Sequence, residues 1–502
     1  MTLQVQLDPE AATGDPWIDT GLAVLLERYG PGEHDFERLR RDLIDTLVQP
    51  TGGEGEYWDP RARQIRTYGK RNWIWPVSAF IRVAGKSEKK VDVEGRRLPT
   101  SPPVFDLDPK FSKRPRPCDI CGDEGPSMDA KMWAYPFVVE PGKFGNFYSG
   151  AKRGIGMCPR CVAAGLAAYL GMLWRYAGGP LHLFLFHTAL PELCRLHREA
   201  LAVFRLEGEG SGNIPVAFGG PYPAETVLGL LLELFGRLRR EEEARAAAER
   251  GAGEALAELL GLRAASPPAP LTLVAVSGQI QQAFRAGSVR RHDRLERTYR
   301  LYERLLNTLA AMPRPPDQPH AALVRVLGQF WQRRNQGAET IWREQVAAAL
   351  LAEEDPLPHV EAFLFDVRAG EGRPLAYGTT HVFDAYAGEV LGMEERLRRI
   401  LAGFGHTLGR AVDAKNEQGL LYALRNARNL DDFLRVLNDV QFRLGVTVPG
   451  TLVEVGEGER INGVPWQRVK TLLAIHAMNA FLGGLRAAGA EGEEPAEEGA
   501  VT

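Results

Sequence analysis

The sequence predicts an α+β, mostly helical protein with a mixed N-terminal domain over residues 1–375, an inserted four-cysteine zinc ribbon, and a helical bundle over residues 376–488. Three observations predict this class. Amphipathic helical patterns occupy both ends of the chain, short apolar runs that suit buried strands interrupt the middle, and two Cys-x-x-Cys pairs lie between them. With 502 residues, 44% of them hydrophobic and 25% charged, the chain is long enough for several domains.

The N-terminal domain is expected to alternate helices and strands. WIDTGLAVLLERYG and EHDFERLRRDLIDTLVQ predict two helices, because apolar residues recur at helical spacing. Residues 57–117 are basic and rich in proline, and VDVEGRRL suits half of a hairpin. Further helix is expected over 162–177, 190–205 and 223–262. Buried strands are expected at LHLFLF, LTLVAV and VEAFLFDV, whereas FRAGSVRRHDRLERTYRLYERLL opens basic and becomes an amphipathic helix.

Residues from about 380 to 488 are expected to be helical throughout. In one helix a single face is shared by Leu397, Ile400, Leu401, Phe404 and Leu408. The stretch NLDDFLRVLNDVQFRLG has an asparagine suited to the N-cap, acids in the first turn and a glycine stop. Helices with one apolar face each predict a bundle. Residues 489–502, which hold five glutamates and no Lys or Arg, predict a disordered acidic tail.

The cysteines predict a metal site. CDIC and CPRC, separated by 36 residues, supply Cys118, Cys121, Cys158 and Cys161. Each pair directs two thiolates at one point, and two such pairs give the tetrahedral sulfur site that zinc prefers. Four protein ligands leave no open position, so the expected cofactor is structural Zn²⁺, although an iron–sulfur cluster could use the same ligands. The remaining cysteine, Cys194, is expected to be a small buried thiol.

The charge distribution favours a nucleic-acid partner. Net charge is −3, but residues 61–116 contain 15 Lys and Arg against five acids, and aromatic residues interleave the charges in RTYGKRNWIW. A solvated basic loop is the alternative. Candidate contacts in this block are Lys70, Arg71, Asn72 and Trp73. Arg285, Arg290 and Arg291 in FRAGSVRR are further candidates for contact with nucleic acid.

The glycine-rich loop before the second cysteine pair is a further candidate interface. Its lysines and arginine suit phosphate, its asparagine suits base edges, and its aromatic rings could stack or could pack the core of the ribbon. The candidates are Lys143, Phe144, Asn146, Phe147, Tyr148, Lys152 and Arg153. A P-loop is rejected, because Ala151 displaces the lysine and Arg153 stands where a hydroxyl is needed.

Other classes of function lack their signatures. The chain shows no secretory signal and no apolar run of about 20 residues, so a cytoplasmic protein is expected. No zinc-protease, serine-hydrolase, Walker or kinase motif occurs. The single His292-Asp293 dipeptide is of a kind expected by chance. We therefore expect a chain that is not an enzyme.

Four features together resemble a known family. They are WIDTG in the first helix, the paired Cys-x-x-Cys module, NFYSG before its second pair, and the final helices around NARNLDDFLRVLNDVQFRLG. The chain resembles the CXXC–CXXC large subunit of type I, I-B-like, CRISPR Cascade surveillance complexes. The resemblance implies a non-catalytic subunit at the 5′ end of the guide RNA. Such a subunit recognises the protospacer-adjacent motif, helps to unwind duplex DNA, steadies the displaced strand and recruits the helicase–nuclease.

The partners that the resemblance implies are guide RNA, target double-stranded DNA, the backbone and small Cascade subunits, and the helicase–nuclease effector, with no membrane. The residues leave three other interpretations open. One is a zinc-ribbon nucleic-acid-binding protein of the transcription or translation machinery. The others are an unrecognised nuclease and an interaction scaffold that does not contact nucleic acid.

Overall fold

The structure is a computed structural model that describes residues 3–74, 77–81, 89–137, 154–198, 214–245, 271–280, 284–334 and 337–489. The chain forms two compact units that alternate along the sequence. The first comprises residues 1–215 and 237–296, and the second comprises residues 216–236 and 297–502. A separate bundle over residues 376–488 stays a prediction, since those residues lie within the second unit. The acidic tail falls outside the described residues.

The described helices of the first unit are α1 (Pro16–Tyr29), α2 (Phe36–Leu47), α3 (Val77–Phe80), α4 (Pro159–Gly171) and α5 (Leu190–Leu196). Among them, α1 and α2 pack against the buried helix α4, and α5 packs against α1. Helices α1 and α2 confirm the prediction for the first fifty residues. Asp15 is the N-cap residue of helix α1, and its carboxylate accepts hydrogen bonds from the backbone N–H groups of Trp17 and Ile18.

Five small antiparallel pairs of strands surround these helices. They are β1 (Gln4–Leu7) with β2 (Gly32–Asp35), β3 (Val48–Asp59) with β4 (Gln64–Trp73), β5 (Lys90–Val93) with β6 (Arg96–Pro99), β7 (Arg116–Pro117) with β8 (Glu124–Gly125), and β9 (Met128–Asp129) with β10 (Gly156–Met157). A hairpin forms at VDVEGRRL, but this stretch is nearly the whole of the β5–β6 hairpin and not the predicted half. The long β3–β4 hairpin was not predicted.

A four-stranded antiparallel sheet completes the described part of the first unit. Its strands follow in chain order as β11 (Leu173–Tyr176), β12 (Pro180–Phe186), β13 (Thr272–Ile280) and β14 (Phe284–His292). Strands β12 and β13 confirm the buried strands predicted at LHLFLF and LTLVAV. The basic opening of FRAGSVRRHD is strand β14, where Val289 lies opposite Val276. The helix expected over 162–177 ends earlier than predicted, because the chain enters β11.

The second unit is largely helical. Its helices are the first part of α6 (Pro223–Arg245), α7 (Leu295–Ala310), α8 (Pro319–Gly328), α9 (Ile341–Leu351), α10 (Leu357–Phe363), α11 (Thr379–Glu389), α12 (Glu395–Lys415), α13 (Gly419–Asn426), α14 (Leu430–Leu444) and α15 (Trp466–Gly489). Helix α15 packs against α12 most extensively, and also against α10, α13 and α14. Across the described residues, no helix combines the length and apolarity that crossing a membrane requires.

Two predictions for this unit were wrong in detail. VEAFLFDV is not a strand but the end of α10 and a π-helical turn, Leu364–Arg368. Its buried residues Val360, Phe363, Leu364 and Val367 follow helical spacing, which a short apolar run hides. The stretch after α14 is not helical throughout, because it contains a small sheet of three strands, β17 (Val455–Gly456), β18 (Arg460–Ile461) and β19 (Val464–Pro465). Much earlier in the chain, β15 (Gln332–Arg334) pairs with β16 (Gly337–Glu339).

A buried ion pair fixes α6 to α9 in the second unit. Glu225 is fully buried, and its Oε2 lies 2.6 Å from Nε of Arg343. Thr340 Oγ1 donates to the other carboxylate oxygen at 2.9 Å, and Arg343 Nη2 donates to the carbonyl oxygen of Gly219 at 2.7 Å. Because every charged group here has partners, the burial of two charges is compensated.

Candidate metal centre and basic strands

The four cysteines of the two Cys-x-x-Cys pairs converge on one point. Their sulfur atoms all lie within 4.8 Å of one another, and Cys121 Sγ lies 3.6 Å from Cys158 Sγ. A zinc ion bonded to four sulfurs at about 2.3 Å requires sulfur–sulfur distances of about 3.8 Å. The four side chains could therefore hold a metal ion, and their spacing and chemistry fit zinc.

The first pair lies on a tight turn between two short strands. Strand β7 pairs with β8, so the residues between them must reverse direction. The N–H of Cys118 donates to the carbonyl oxygen of Asp123 at 2.9 Å, and the N–H of Gly122 donates to the carbonyl oxygen of Cys118 at 2.9 Å. Gly122 has φ of 81°, a left-handed conformation that glycine adopts readily. This turn brings the Cys118 and Cys121 thiols to the same side.

The second pair lies at the start of α4. Cys158 is the N-cap residue, Pro159 occupies the first helical position, and Cys161 follows in the first turn. The backbone N–H of Cys158 donates to Sγ of Cys118 at 3.4 Å, as expected for a metal-binding thiolate. The partial positive charge of the helix N-terminus also favours thiolates there.

Contacts outside the cysteines join the two pairs. The N–H of Asp119 donates to the carbonyl oxygen of Gly156 at 2.8 Å, and the N–H of Gly156 donates to Asp119 Oδ2 at 2.6 Å. A Cβ atom at position 156 would lie 2.3 Å from the Arg116 guanidinium, so the arginine packs closely over the backbone of Gly156. Arg116 in turn pairs with Asp129 at 3.0 Å. These contacts therefore orient the two cysteine pairs toward each other.

The electrostatics of the cluster favour the thiolate at Cys118 and Cys121 and the protonated thiol at Cys158 and Cys161. Hydrogen bonds from the thiols of Cys121, Cys158 and Cys161 hold the pKa of Cys118 far below its ordinary value. The Cys118 sulfur raises the pKa of Cys121, but hydrogen bonds from Cys158 and Cys161 outweigh it and lower that pKa to about 7. The pKa values of Cys158 and Cys161 are raised, chiefly by their hydrogen bonds to Cys118.

Arg160 places a positive charge beside these sulfurs. Its Nη2 lies 3.2 Å from Asp123 Oδ2, and its side chain is only 12% exposed. Burial opposes the charge, but the Cys121 sulfur and the Asp123 carboxylate outweigh burial and raise the pKa of Arg160. A metal bound by four thiolates carries net negative charge, which this guanidinium would offset.

The WIDTG motif anchors the helix that carries the second cysteine pair. Trp17 Nε1 donates to the carbonyl oxygen of Ala134 at 3.0 Å. A Cβ atom on Gly21 would lie 1.8 Å from the carbonyl oxygen of Ala164 in α4, so only glycine allows α1 and α4 to approach so closely. The buried Asp19 carboxylate accepts the Thr13 hydroxyl at 2.7 Å. The sequence singled out this motif only as a resemblance, and its packing role was missed.

The candidate residues on β4 differ in accessibility. Lys70, Arg71 and Asn72 are exposed. Trp73 is only 4% exposed and packs edge-on against Phe105, with ring centroids 5.7 Å apart, so its ring is not accessible for stacking on a base. The three exposed residues remain candidates for contact with nucleic acid.

The candidates on β14 lie on the last strand of the described sheet. Arg290 and Arg291 are exposed, and Arg291 Nε lies 2.8 Å from Asp293 Oδ1. For Arg285 only the backbone is described, within β14. Asp293 also accepts a hydrogen bond from Thr272 Oγ1 at 2.7 Å, which gives the His292-Asp293 dipeptide a local structural role.

The remaining predicted residues do not belong to the cluster or were not described. Cys194 lies in α5, and burial raises the pKa of its thiol to about 11. In the described part of the chain, the four-cysteine cluster is the one group of His, Cys, Asp and Glu side chains with metal-binding geometry. Seven candidates lie outside the described residues: Lys143, Phe144, Asn146, Phe147, Tyr148, Lys152 and Arg153.

Comparison with models of known protein families and with curated proteins finds no match. The functional inference therefore depends on the residues described above.

Proposed function

We propose that the protein is a non-catalytic, nucleic-acid-binding subunit with a structural Zn²⁺ centre, and that it is the large subunit of an RNA-guided DNA surveillance complex. The observation that carries nucleic-acid binding is the exposure of Lys70, Arg71, Arg290 and Arg291 on strands of the first unit. Exposed cations of this kind neutralise phosphates and supply sequence-independent affinity. The same unit contains the four-cysteine centre.

The proposed zinc has a structural role. Four cysteine ligands fill the tetrahedral positions of the ion and leave none for a substrate or a reactive water. Cys158 and Cys161 are part of the N-terminus of α4, a buried helix that packs against α1 and α2. Zinc binding would therefore contribute to the folding free energy of that unit.

The surveillance role is supported by the resemblance in the cysteine module and the final helices. In such a complex, base pairing with guide RNA reads the target, while protein reads a short adjacent motif and the DNA backbone. The proposal implies a cytoplasmic protein whose partners are guide RNA, target duplex DNA, other Cascade subunits and a helicase–nuclease. Recognition of the adjacent motif, strand separation and nuclease recruitment are parts of this proposal.

Purification of the protein with the products of its neighbouring genes tests the proposal. We expect RNA of uniform length to copurify. We also expect the assembly to bind DNA duplexes only when they contain both a guide match and a particular flanking motif. Absence of RNA together with indifference to flanking sequence would favour a zinc-ribbon protein of transcription or translation. Metal-dependent cleavage abolished by a single substitution in this chain would instead indicate a nuclease.

An exposed arginine on β14 provides a sharper variant. Arg290→Gln should make the slope of log K against log salt concentration shallower by about one, because binding releases about one counterion fewer. Arg38 on α2 provides the matched control, since its side chain is 78% exposed and its contact with Asp42 is 4.0 Å long. Equal salt dependence in the two variants would remove β14 from the interface.

A further inference from the structure

One face of the β3–β4 hairpin carries every second side chain of both strands. Opposed residues of an antiparallel pair lie on the same face, and that face recurs at every second residue. Tyr57 lies opposite Arg66, and Gln49 lies opposite Asn72. We call this surface the ribbon face. It consists of Gln64, Arg66, Tyr68, Lys70 and Asn72 from β4, and Gln49, Gly55, Tyr57 and Asp59 from β3, and the register shifts between Pro50 and Glu54, opposite Lys70.

The opposite face of the hairpin is in contact with the rest of the first unit. Glu56, one residue out of step with the ribbon face, pairs with Arg96 of β6 at 2.7 Å. Trp73, also out of step with it, is buried against Phe105. At these two positions the ribbon face therefore points away from β6 and from Phe105. Gln49, Lys70 and Asn72 on the ribbon face are exposed, as are Glu54, Thr67 and Arg71 on the opposite face.

The ribbon face carries two basic residues, Arg66 and Lys70, and one acid, Asp59, which is paired with Arg66. Asp59 Oδ1 accepts the backbone N–H groups of Arg61 and Ala62 at 2.9 and 3.1 Å, and Oδ2 lies 3.2 Å from Nε of Arg66. The hydrogen bond from Ala62 is the main reason that the pKa of Asp59 is lowered. Lys70 forms no ion pair with the described residues, so its ammonium group is available to bind an anion.

The ribbon face also carries two tyrosine rings and several side-chain amides. A Cβ atom on Gly55 would lie 2.4 Å from Cζ of Tyr68, so the glycine makes room for the Tyr68 ring to lie against the backbone of β3. The ring of Tyr57 is 6.2 Å away. Gln49 lies opposite Asn72, whose side-chain oxygen accepts the backbone N–H of Trp73 at 2.9 Å and keeps a second lone pair for a base. Asn and Gln amides can form paired hydrogen bonds with the exposed edge of adenine.

We propose that the ribbon face binds duplex DNA by entering the major groove. This groove is about 12 Å wide and admits a two-stranded ribbon, whose strands lie about 4.8 Å apart. Lys70 contacts phosphate, and the amides of Gln49 and Asn72 contact base edges. The major groove of an RNA helix is too narrow for such a ribbon, so duplex DNA is the partner that fits. The inference rests on the proposed function and assigns its duplex contacts to this hairpin.

Binding of the full-length chain to a short DNA duplex over a range of salt concentrations tests the inference. Lys70→Gln should make the slope of log K against log salt concentration shallower by about one. Arg38→Gln, which also removes one exposed charge, should leave this slope unchanged. Asn72→Ala should weaken discrimination among duplex sequences by about tenfold with little effect on the salt dependence. Since these residues are exposed, all three variants should unfold at the wild-type temperature.

The outcomes separate this inference from the proposed function. If the wild-type protein binds duplex DNA but Lys70→Gln and Asn72→Ala behave as Arg38→Gln does, the ribbon face is not the interface and the proposed function stands. Double-stranded RNA bound as tightly as DNA would also overturn the groove assignment. If the wild-type protein, alone and with its partners, binds no duplex, both proposals fail.

Discussion

Replacement of Cys161 by serine should release the metal and destabilise the first unit. The Cys161 side chain is fully buried in the first turn of α4, and its sulfur is within 4.8 Å of the other three. Serine keeps the size of the side chain but replaces a thiolate with a hydroxyl, which is a poor zinc ligand. The remaining three cysteines then leave one coordination position to water in a site that is almost closed to solvent.

The size of the effect follows from the metal site. Groups that contact metal ligands, without being ligands, change metal affinity by about 10- to 100-fold. Loss of a ligand should exceed that range and cost more than about 3 kcal/mol of binding free energy. Because Cys161 lies on the buried helix α4, this free energy is also lost from folding. We expect the unfolding temperature of the unit to fall by roughly 5–10 °C.

Cys194→Ser is the matched control. Cys194 is also buried and also lies in the first unit, but it is not in the cluster. Both substitutions bury a hydroxyl in place of a thiol, so their difference reports metal binding. Elemental analysis should find one zinc per chain in the wild-type protein and in Cys194→Ser, and much less in Cys161→Ser. Calorimetry of the same samples should show the larger loss of stability in Cys161→Ser.

Equal zinc content and equal unfolding temperatures in the two variants would refute the assignment of Cys161 as a ligand. A wild-type protein that contains iron and sulfide in place of zinc would keep the four ligands but refute the choice of metal. Removal of zinc by a chelator without any change in unfolding temperature would refute the coupling of the centre to the fold.

Three further predictions concern the second unit. Glu225→Gln should destabilise it by about 3–5 kcal/mol, since a buried arginine loses its charged partner, whereas Glu417→Gln at an exposed pair should cost less than about 1 kcal/mol. Burial raises the pKa of Glu361 to about 7, so the wild-type protein should lose about 3 kcal/mol as pH rises from below 4.5 through 7, and Glu361→Gln should remove that loss. In α12, Gly409→Ala should destabilise because its Cβ would lie 2.2 Å from a carbonyl oxygen of α15, whereas Gly403→Ala has open space and should stabilise by about 0.5–1 kcal/mol.

Denaturant unfolding of each variant checks these values. Equal destabilisation by Glu225→Gln and Glu417→Gln would contradict the role given to the buried pair. The sign for Glu361 follows from its folded pKa, which lies above the unfolded value, so the folded state binds the proton more tightly and is favoured at low pH. A pH profile that is unchanged in Glu361→Gln would contradict it. Similar effects at the two glycines would contradict the close packing of α12 on α15.

The four-cysteine cluster and several helix ends could be predicted because their signals are local. Cys-x-x-Cys spacing constrains two thiols through a few bonds, whatever the rest of the chain does. Asn429 was predicted to cap α14, and its side chain accepts the N–H of Asp432 at 2.8 Å. Gly445 was predicted to end the same helix, and it adopts φ of 69°.

The β3–β4 hairpin could not be predicted by the same means. Residues 48–59 contain a proline and three glycines, and most of them are exposed, so neither strand propensity nor apolar alternation identifies β3. The close approach of Gly21 to Ala164 likewise depends on the pairing of distant helices. Such partners become visible only once the fold is known, because nothing in the local sequence specifies them.

The interleaving of the two units along the chain has a consequence for synthesis on the ribosome. Strand β12, whose residues are all buried in the finished protein, is translated well before its neighbour β13. At about 5–20 residues per second, roughly 5–20 seconds pass before β13 and β14 emerge. During that interval the nascent chain exposes an apolar strand with an unpaired edge, which invites aggregation. Chains that terminate between Phe186 and Thr272 should therefore be captured by chaperones or precipitate.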